Sequence, residues 1–202
     1  MRISDIIMEA TASQVTVFYG GRFQPMHKGH HALYKQLTSR FGADNVFIAT
    51  TFGKKQQKMH STGDYSTDPF TFQEKADIAY KMFGIPSGHI VDTMPYKPDL
   101  SSVGRDASES AIVLAFSEKD AGRLQETEVL RRLPEDGSPL QTADENRVYF
   151  VTMPVNEGSM SATDFREEMA SGKPDEVKQK AFTKFFGKFD QEVFDFINER
   201  LN

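Results

Sequence analysis

The sequence predicts an α/β fold: a doubly wound, five-stranded parallel sheet with helices on both faces and further helices at the carboxyl end. Three observations lead there. Short apolar runs bounded by turn residues alternate with longer stretches of helical period. Such alternation implies parallel strands joined by crossover helices. A glycine-rich turn also stands between the first apolar run and the first helix, where open α/β sheets hold their ligands.

The elements follow in order. Val15–Tyr19 reads as a buried strand and His30–Phe41 as a helix with Leu33 and Leu37 on one face. Asn45–Phe52 is a second strand, and Gly53–Asp68 a polar loop carrying Lys54, Lys55, Lys58 and His60. Phe70–Phe83 is a helix closed by Gly84 and Pro86. His89–Met94 is a third strand, and Tyr96–Ser102 a proline-containing connection followed by a short helix. Ala111–Phe116 is the fourth strand, with a helix expected from Lys119 to Arg132. Leu133–Asn146 is acidic and rich in turn residues, so it reads as a surface loop. Arg147–Met153 is the fifth strand and Ser161–Ala170 a helix. Asp175–Leu201 reads as one or two helices, its phenylalanines packing on the body or on a second subunit.

With 202 residues the chain fits one domain of ordinary size. The expected division is an amphipathic helix or tail over residues 1–14, a main domain over 15–172 and a helical extension packed on it over 173–202. Hydrophobic residues make up 38% and charged residues 26%, the balance of a globular protein. The net charge of −5 argues against nucleic-acid binding through a basic surface. No apolar run is long enough to span a bilayer, and Met1–Ala12 carries Asp5 and Glu9, unlike a signal peptide. With no cysteine, disulfides, thiolate metal sites and cysteine nucleophiles are excluded, and a cytoplasmic setting is expected.

The chemistry concentrates in Gly20-Gly21-Arg22-Phe23-Gln24-Pro25-Met26-His27-Lys28-Gly29-His30. Glycines permit a tight turn and close approach of the backbone to a ligand. Arg22 offers a planar fork that suits phosphate oxygens. Pro25 pre-sets the backbone near the helix start. His27 and His30, three apart, face the same way on a first helical turn. Unpaired N–H groups at the helix N-terminus add positive potential. Together these residues describe an anion pocket with two imidazoles beside it.

This string resembles the motif of the HxGH nucleotidyltransferase superfamily, which implies a Rossmann-like fold. Its Gly-Arg-Phe-Gln-Pro form is most similar to archaeal-type nicotinamide mononucleotide adenylyltransferases. Cytidylyltransferases and pantetheine-phosphate adenylyltransferases more often carry Phe-Asp where this chain has Phe23-Gln24. Ser161-Ala162-Thr163-Asp164-Phe165-Arg166 is similar to the family's Ser-x-Thr-x-x-Arg. Asp68-Pro69-Phe70-Thr71-Phe72-Gln73-Glu74-Lys75 looks like the adenylyltransferases' Asn-Pro-Phe-Thr-x-x-Glu-Arg. The resemblance runs from about Val15 to Met169.

The resemblance implies adenylyl transfer from ATP to nicotinamide mononucleotide, giving NAD and pyrophosphate. His27, His30 and Arg166 would be catalytic. Gly20, Gly21, Arg22, Phe23, Gln24, Lys28, Gly29, Ser161 and Thr163 would bind the nucleotide. Magnesium would arrive with the triphosphate, with no metal held by the protein itself. The lysines of the 53–68 loop, with His60, are candidates for a lid over the triphosphate.

The chain departs from the family on the acceptor side. Where archaeal relatives place a Trp after the third strand, this chain has none, and Tyr96, Lys97 and Arg105 are the acceptor-site candidates. The family's Ser-Gly-Asn-Pro after the fourth strand is here Ser117-Glu118-Lys119-Asp120. His89 stands at a strand entrance with no partner visible in the sequence. A nucleotidyltransferase for another phosphorylated acceptor, using CTP or ATP, is therefore the rival reading. A third is a nucleotide-binding regulatory or structural protein without turnover. A second copy of the chain is a candidate partner; nucleic acid and membrane are not.

Overall fold

The computed structural model describes residues 11–118, 125–154 and 160–202. Residues 1–10, which carry most of the expected amino-terminal helix, lie outside it, as do residues 119–124. Of that first segment Thr11 and Ala12 are described, and Ala12 N–H donates to the Leu140 carbonyl at 2.8 Å.

Six strands form one sheet: β1, Gln14–Gly20; β2, Val46–Thr50; β3, Ile90–Asp92; β4, Ser110–Ser117; β5, Leu130–Arg132; and β6, Val148–Met153. They lie in the order β3-β2-β1-β4-β6-β5, and every pair is parallel. β2 is buried along its whole length and β4 nearly so. Parallel strands covered on both faces must be apolar throughout, which is why these runs do not alternate.

The sheet has six strands where five were expected. The extra one, β5, falls within the stretch read as a helix up to Arg132, and the described part of that stretch, residues 125–132, is extended and turn-like. Three residues with two arginines carry no strand period. They are held instead by pairing with β6, and by the Arg132 guanidinium lying 5.3 Å from the centroid of the Phe150 ring opposite.

The helices lying wholly within the described residues are α1, Lys28–Phe41; α2, Lys54–Ser61; α3, Phe72–Phe83; α4, Ala162–Met169; α5, Asp175–Phe186; and α6, Gln191–Leu201. On one face of the sheet Val17, Tyr19, Ile48 and Val113 pack with Leu33 and Leu37 of α1 and Ala76 and Ala79 of α3. On the other, Phe18, Ala49, Ile112 and Leu114 pack with Leu100, Val103, Ala107 and Ala143. Among the described residues this second face is covered by loops and short 3₁₀ turns. Its cover comes from the long connections before β4 and β6, which have no sustained 3.6-residue period.

The stretch 53–68 corrects a second expectation. Its first half is the helix α2, read as loop because its Lys-Lys-Gln-Gln run buries nothing. The tail forms two helices. Phe182, Phe185, Phe186, Phe194 and Ile197 join Phe165 and Met169 of α4, Ile78 and Met82 of α3, and Phe70 in a separate hydrophobic cluster. Arg200 of α6 pairs with Glu74 at the start of α3 and donates to the Pro69 carbonyl at 3.2 Å.

Candidate active site

From β1 the chain moves outward to β2 and β3, then returns to lay β4 on the opposite side of β1. Beyond the carboxyl ends of β1 and β4 this switch opens a crevice. It holds a cavity of about 590 Å³, lined by residues 19–24, His30, Pro95, Tyr96, Phe116, Ser117, Ala162, Thr163 and Arg166. Four separate sequence segments converge there.

The first wall is the turn after β1. A Cβ on Gly20 would lie 2.6 Å from Phe116 Cε1 and 2.9 Å from Pro95 Cβ; one on Gly21 would lie 2.7 Å from the Phe23 ring. The glycines therefore make room for protein side chains that shape the wall. Phe23 sits at φ 47°, in the left-handed region that side chains rarely adopt. Gln24 is buried, and its amide reads the backbone of Phe70 in both directions. Nε2 donates to Phe70 O at 3.0 Å and Oε1 accepts from Phe70 N at 2.9 Å. That clamp ties the turn to the Asp68-Pro69-Phe70 segment.

His27 is the N-cap of α1, which begins two residues earlier than expected. Its Nδ1 accepts from Gly29 N at 3.0 Å and His30 N at 3.3 Å, while His27 N donates to His30 Nδ1 at 3.3 Å. A backbone N–H can only donate, so both Nδ1 atoms are acceptors and each neutral ring carries its hydrogen on Nε2. The rings stack at 3.6 Å between centroids. Burial, with a smaller contribution from His27, holds the His30 pKa well below the usual imidazole value. Of the pair, His30 lines the cavity; His27 supports it through cap and stack. Gly29 belongs to the same cap, and Lys28 is exposed and away from the cavity lining.

The second wall comes from α4. Ser161 caps it, accepting from Asp164 N at 3.1 Å, and is not among the lining residues. Thr163 Oγ1 accepts from Arg166 at 3.4 Å. Buried Arg166 donates to the Gln24 carbonyl at 2.7 Å, and its Nε is buried with no hydrogen-bond partner among the described residues. Burial, then the nearby Arg22 charge, lowers its pKa. Arg22 is largely exposed, with its guanidinium 3.6 Å from the buried Asp68 carboxylate.

Of the acceptor-site candidates, Tyr96 lines the cavity rim, stacked on Phe116 with 4.9 Å between centroids. Lys97 is exposed and outside the lining. Arg105 is a correction: it bonds the Gln14 side chain at the start of β1, the Asp44 carbonyl at 3.0 Å and Asn45 Oδ1 at 3.2 Å. That is the opposite end of the sheet. His89 does have partners: its Nδ1 lies 3.3 Å from the Tyr34 hydroxyl and 3.2 Å from the Val46 carbonyl. His60 is bound to the Asp68 carbonyl at 2.6 Å, and none of the three lysines of α2 lines the cavity.

Sequence reasoning assigned no role to Asp68 or Lys75, both buried behind Arg22, nor to Phe116 and Pro95 as wall. The available signal was the cation and carboxylate of the Asp68–Lys75 stretch, which its reading as a helix start absorbed.

Comparison with known proteins bears out the resemblance over part of the chain. Residues 18–113 match the model of the cytidylyltransferase-like family. A nicotinamide-nucleotide adenylyltransferase of Methanosarcina barkeri is 39% identical over 75 residues. That stretch covers 37% of this chain and 38% of the relative, well under half of its length. Solved structures also match, two of which follow. One is a bifunctional NMN adenylyltransferase/ADP-ribose pyrophosphatase from Francisella tularensis, complexed with AMP and a manganese ion. It has a TM-score of 0.46 and 17% identity, covering 92% of this chain and 48% of that one. The other is a nicotinic acid mononucleotide adenylyltransferase from Plasmodium falciparum, complexed with APC. Its TM-score is 0.48 and its identity 10%, covering 92% and 95%. The family match includes the turn after β1 and ends before α4.

Proposed function

We propose that the chain is a nucleotidyltransferase of the cytidylyltransferase-like family that transfers the adenylyl group of ATP to nicotinamide mononucleotide, giving NAD and pyrophosphate. One observation carries the reading: Arg22, His30, Thr163 and Arg166, from two distant segments, converge on one cavity at the switch point of the sheet. Such a site offers donors and positive charge where a triphosphate fits.

The reaction needs no protein nucleophile. An oxygen of the acceptor phosphate attacks the α-phosphorus. The bond from that phosphorus to the bridging oxygen breaks, and its electron pair leaves with pyrophosphate. Catalysis is then positioning and stabilisation of charge on the α-phosphoryl oxygens. His30 acts as a neutral Nε2–H donor. Arg22 and Arg166 supply the charge. His27 keeps the His30 ring in place. Among the described residues no three His, Asp or Glu side chains are grouped to hold a metal ion. Magnesium would enter with the triphosphate, held mostly by its oxygens and water.

A second reading within the class is transfer to a different phosphorylated acceptor, from ATP or CTP. The rim favours keeping it: Tyr96 is its half-exposed aromatic, Lys97 is outside the lining, and Arg105 is bound at the other end of the sheet. The test is pyrophosphate release from ATP and CTP against nicotinamide mononucleotide, nicotinic acid mononucleotide, phosphopantetheine and glycerol 3-phosphate. ATP with nicotinamide mononucleotide is expected to be the fastest pair. Another pair winning clearly would replace the acceptor. Release from none, with ATP still binding, would make this a pocket without turnover and sink the reading.

A further inference from the structure

Behind the turn after β1 lies a buried cation with no part in the chemistry above. Lys75 of α3 is 4% exposed. Its ammonium donates to Thr50 Oγ1 at 2.8 Å and the Thr51 carbonyl at 3.0 Å, and reaches the Arg22 carbonyl at 3.4 Å. Thr50 Oγ1 donates to the same Arg22 carbonyl at 3.3 Å. The Arg22 backbone, at the front of the cavity, is thereby held against the end of β2 by a charge and a hydroxyl that are themselves bonded. The charged groups around Lys75 are Asp68 and Asp92, which favour its ammonium form, and Arg22, which opposes it. Burial outweighs the carboxylates and brings Lys75 down to about 8.

We propose that Lys75 is a positioning residue for the triphosphate site: through Thr50 and the Arg22 carbonyl it fixes the turn so that the Arg22 guanidinium meets phosphate. A main-chain carbonyl held from two sides cannot swing, and a small displacement of a charged clamp is costly to catalysis. Asp68 adds to the arrangement by holding the Arg22 side chain within 3.6 Å on the same side. The proposal rests on the nucleotide-binding reading of the cavity.

The experiment is a double-mutant cycle on the full chain, read by ATP affinity and by kcat and KM separately. Lys75→Met is expected to weaken ATP binding on the order of tenfold and to lower kcat, with Lys75→Arg recovering part of both. Arg22→Ala alone is expected to weaken ATP binding, and adding Lys75→Met to it should cost little more, because both act through one guanidinium. Additive effects, or Lys75→Met binding ATP as well as wild type, would overturn the proposal. If Lys75→Met does not fold, the same cycle with Thr50→Val decides by the same criteria. Wild type that binds no nucleotide would instead overturn the reading of the site.

Discussion

At the scale of single residues, burial of His30 makes stability depend on pH. The His30 Nδ1 is committed to the His27 N–H, so a second proton breaks the capping contact as well as adding charge beside the His27 ring. Its unfolded-state pKa is the ordinary 6.5, and its folded value lies well below. Below 6.5 the unfolded chain therefore takes up a proton that the folded chain refuses, and stability falls as pH drops. Thermal melts between about pH 7 and pH 5 should show this slope in wild type and a shallower one in His30→Gln; equal slopes would refute the assignment. His30→Ala and Arg166→Ala should each lower turnover by at least about a hundredfold while the circular dichroism spectrum stays native. A variant that retains near wild-type rates removes its residue from the mechanism.

At the scale of elements, α5 reaches the site although it lies beyond the recognisable motifs. Phe185 packs its ring against His27 at 5.2 Å and stacks on Phe165, the neighbour of Arg166, at 4.0 Å. Phe182 is equally buried in the same cluster but has no ring contact with His27. Phe185→Leu and Phe182→Leu should both destabilise by about 1–3 kcal/mol, but only the former should lower kcat. Equal kcat values would reduce α5 to a structural support. The elements also show what sequence can carry. β1, β2 and β4 are apolar runs that only a doubly covered strand tolerates, and α3 announces itself through Thr71 and Glu74, whose reciprocal capping bonds are present. β5 and α2 escaped because one is specified by its neighbour β6 and the other buries no residue. The turn and α4 were legible as walls of one candidate site; the Gln24 clamp and Lys75 were not, since their partners lie far away in sequence.

At the scale of the whole molecule, the two ends of the sheet do different work. The carboxyl ends carry the cavity, while at the amino ends Arg105 binds β1 to the turn before β2. Arg105→Met should therefore lower stability by about 1–3 kcal/mol, measured by urea unfolding, and leave KM for both substrates unchanged. A raised acceptor KM at unchanged stability would return Arg105 to the site. Arg105 drew attention in the sequence only because it follows the third strand; chain order alone does not say at which end a side chain is used. The cavity's composition has a further consequence, for synthesis and refolding. Its wall needs residues 19–24, 95–96, 116–117 and 162–166 together, and β1 finds its partner β4 some ninety residues downstream. A growing chain cannot shape this pocket before α4 is made, and contacts of such separation form late and slowly. On the proposed function, nucleotide binding would report completion of the fold, and a bound nucleotide would stabilise distant segments as one unit.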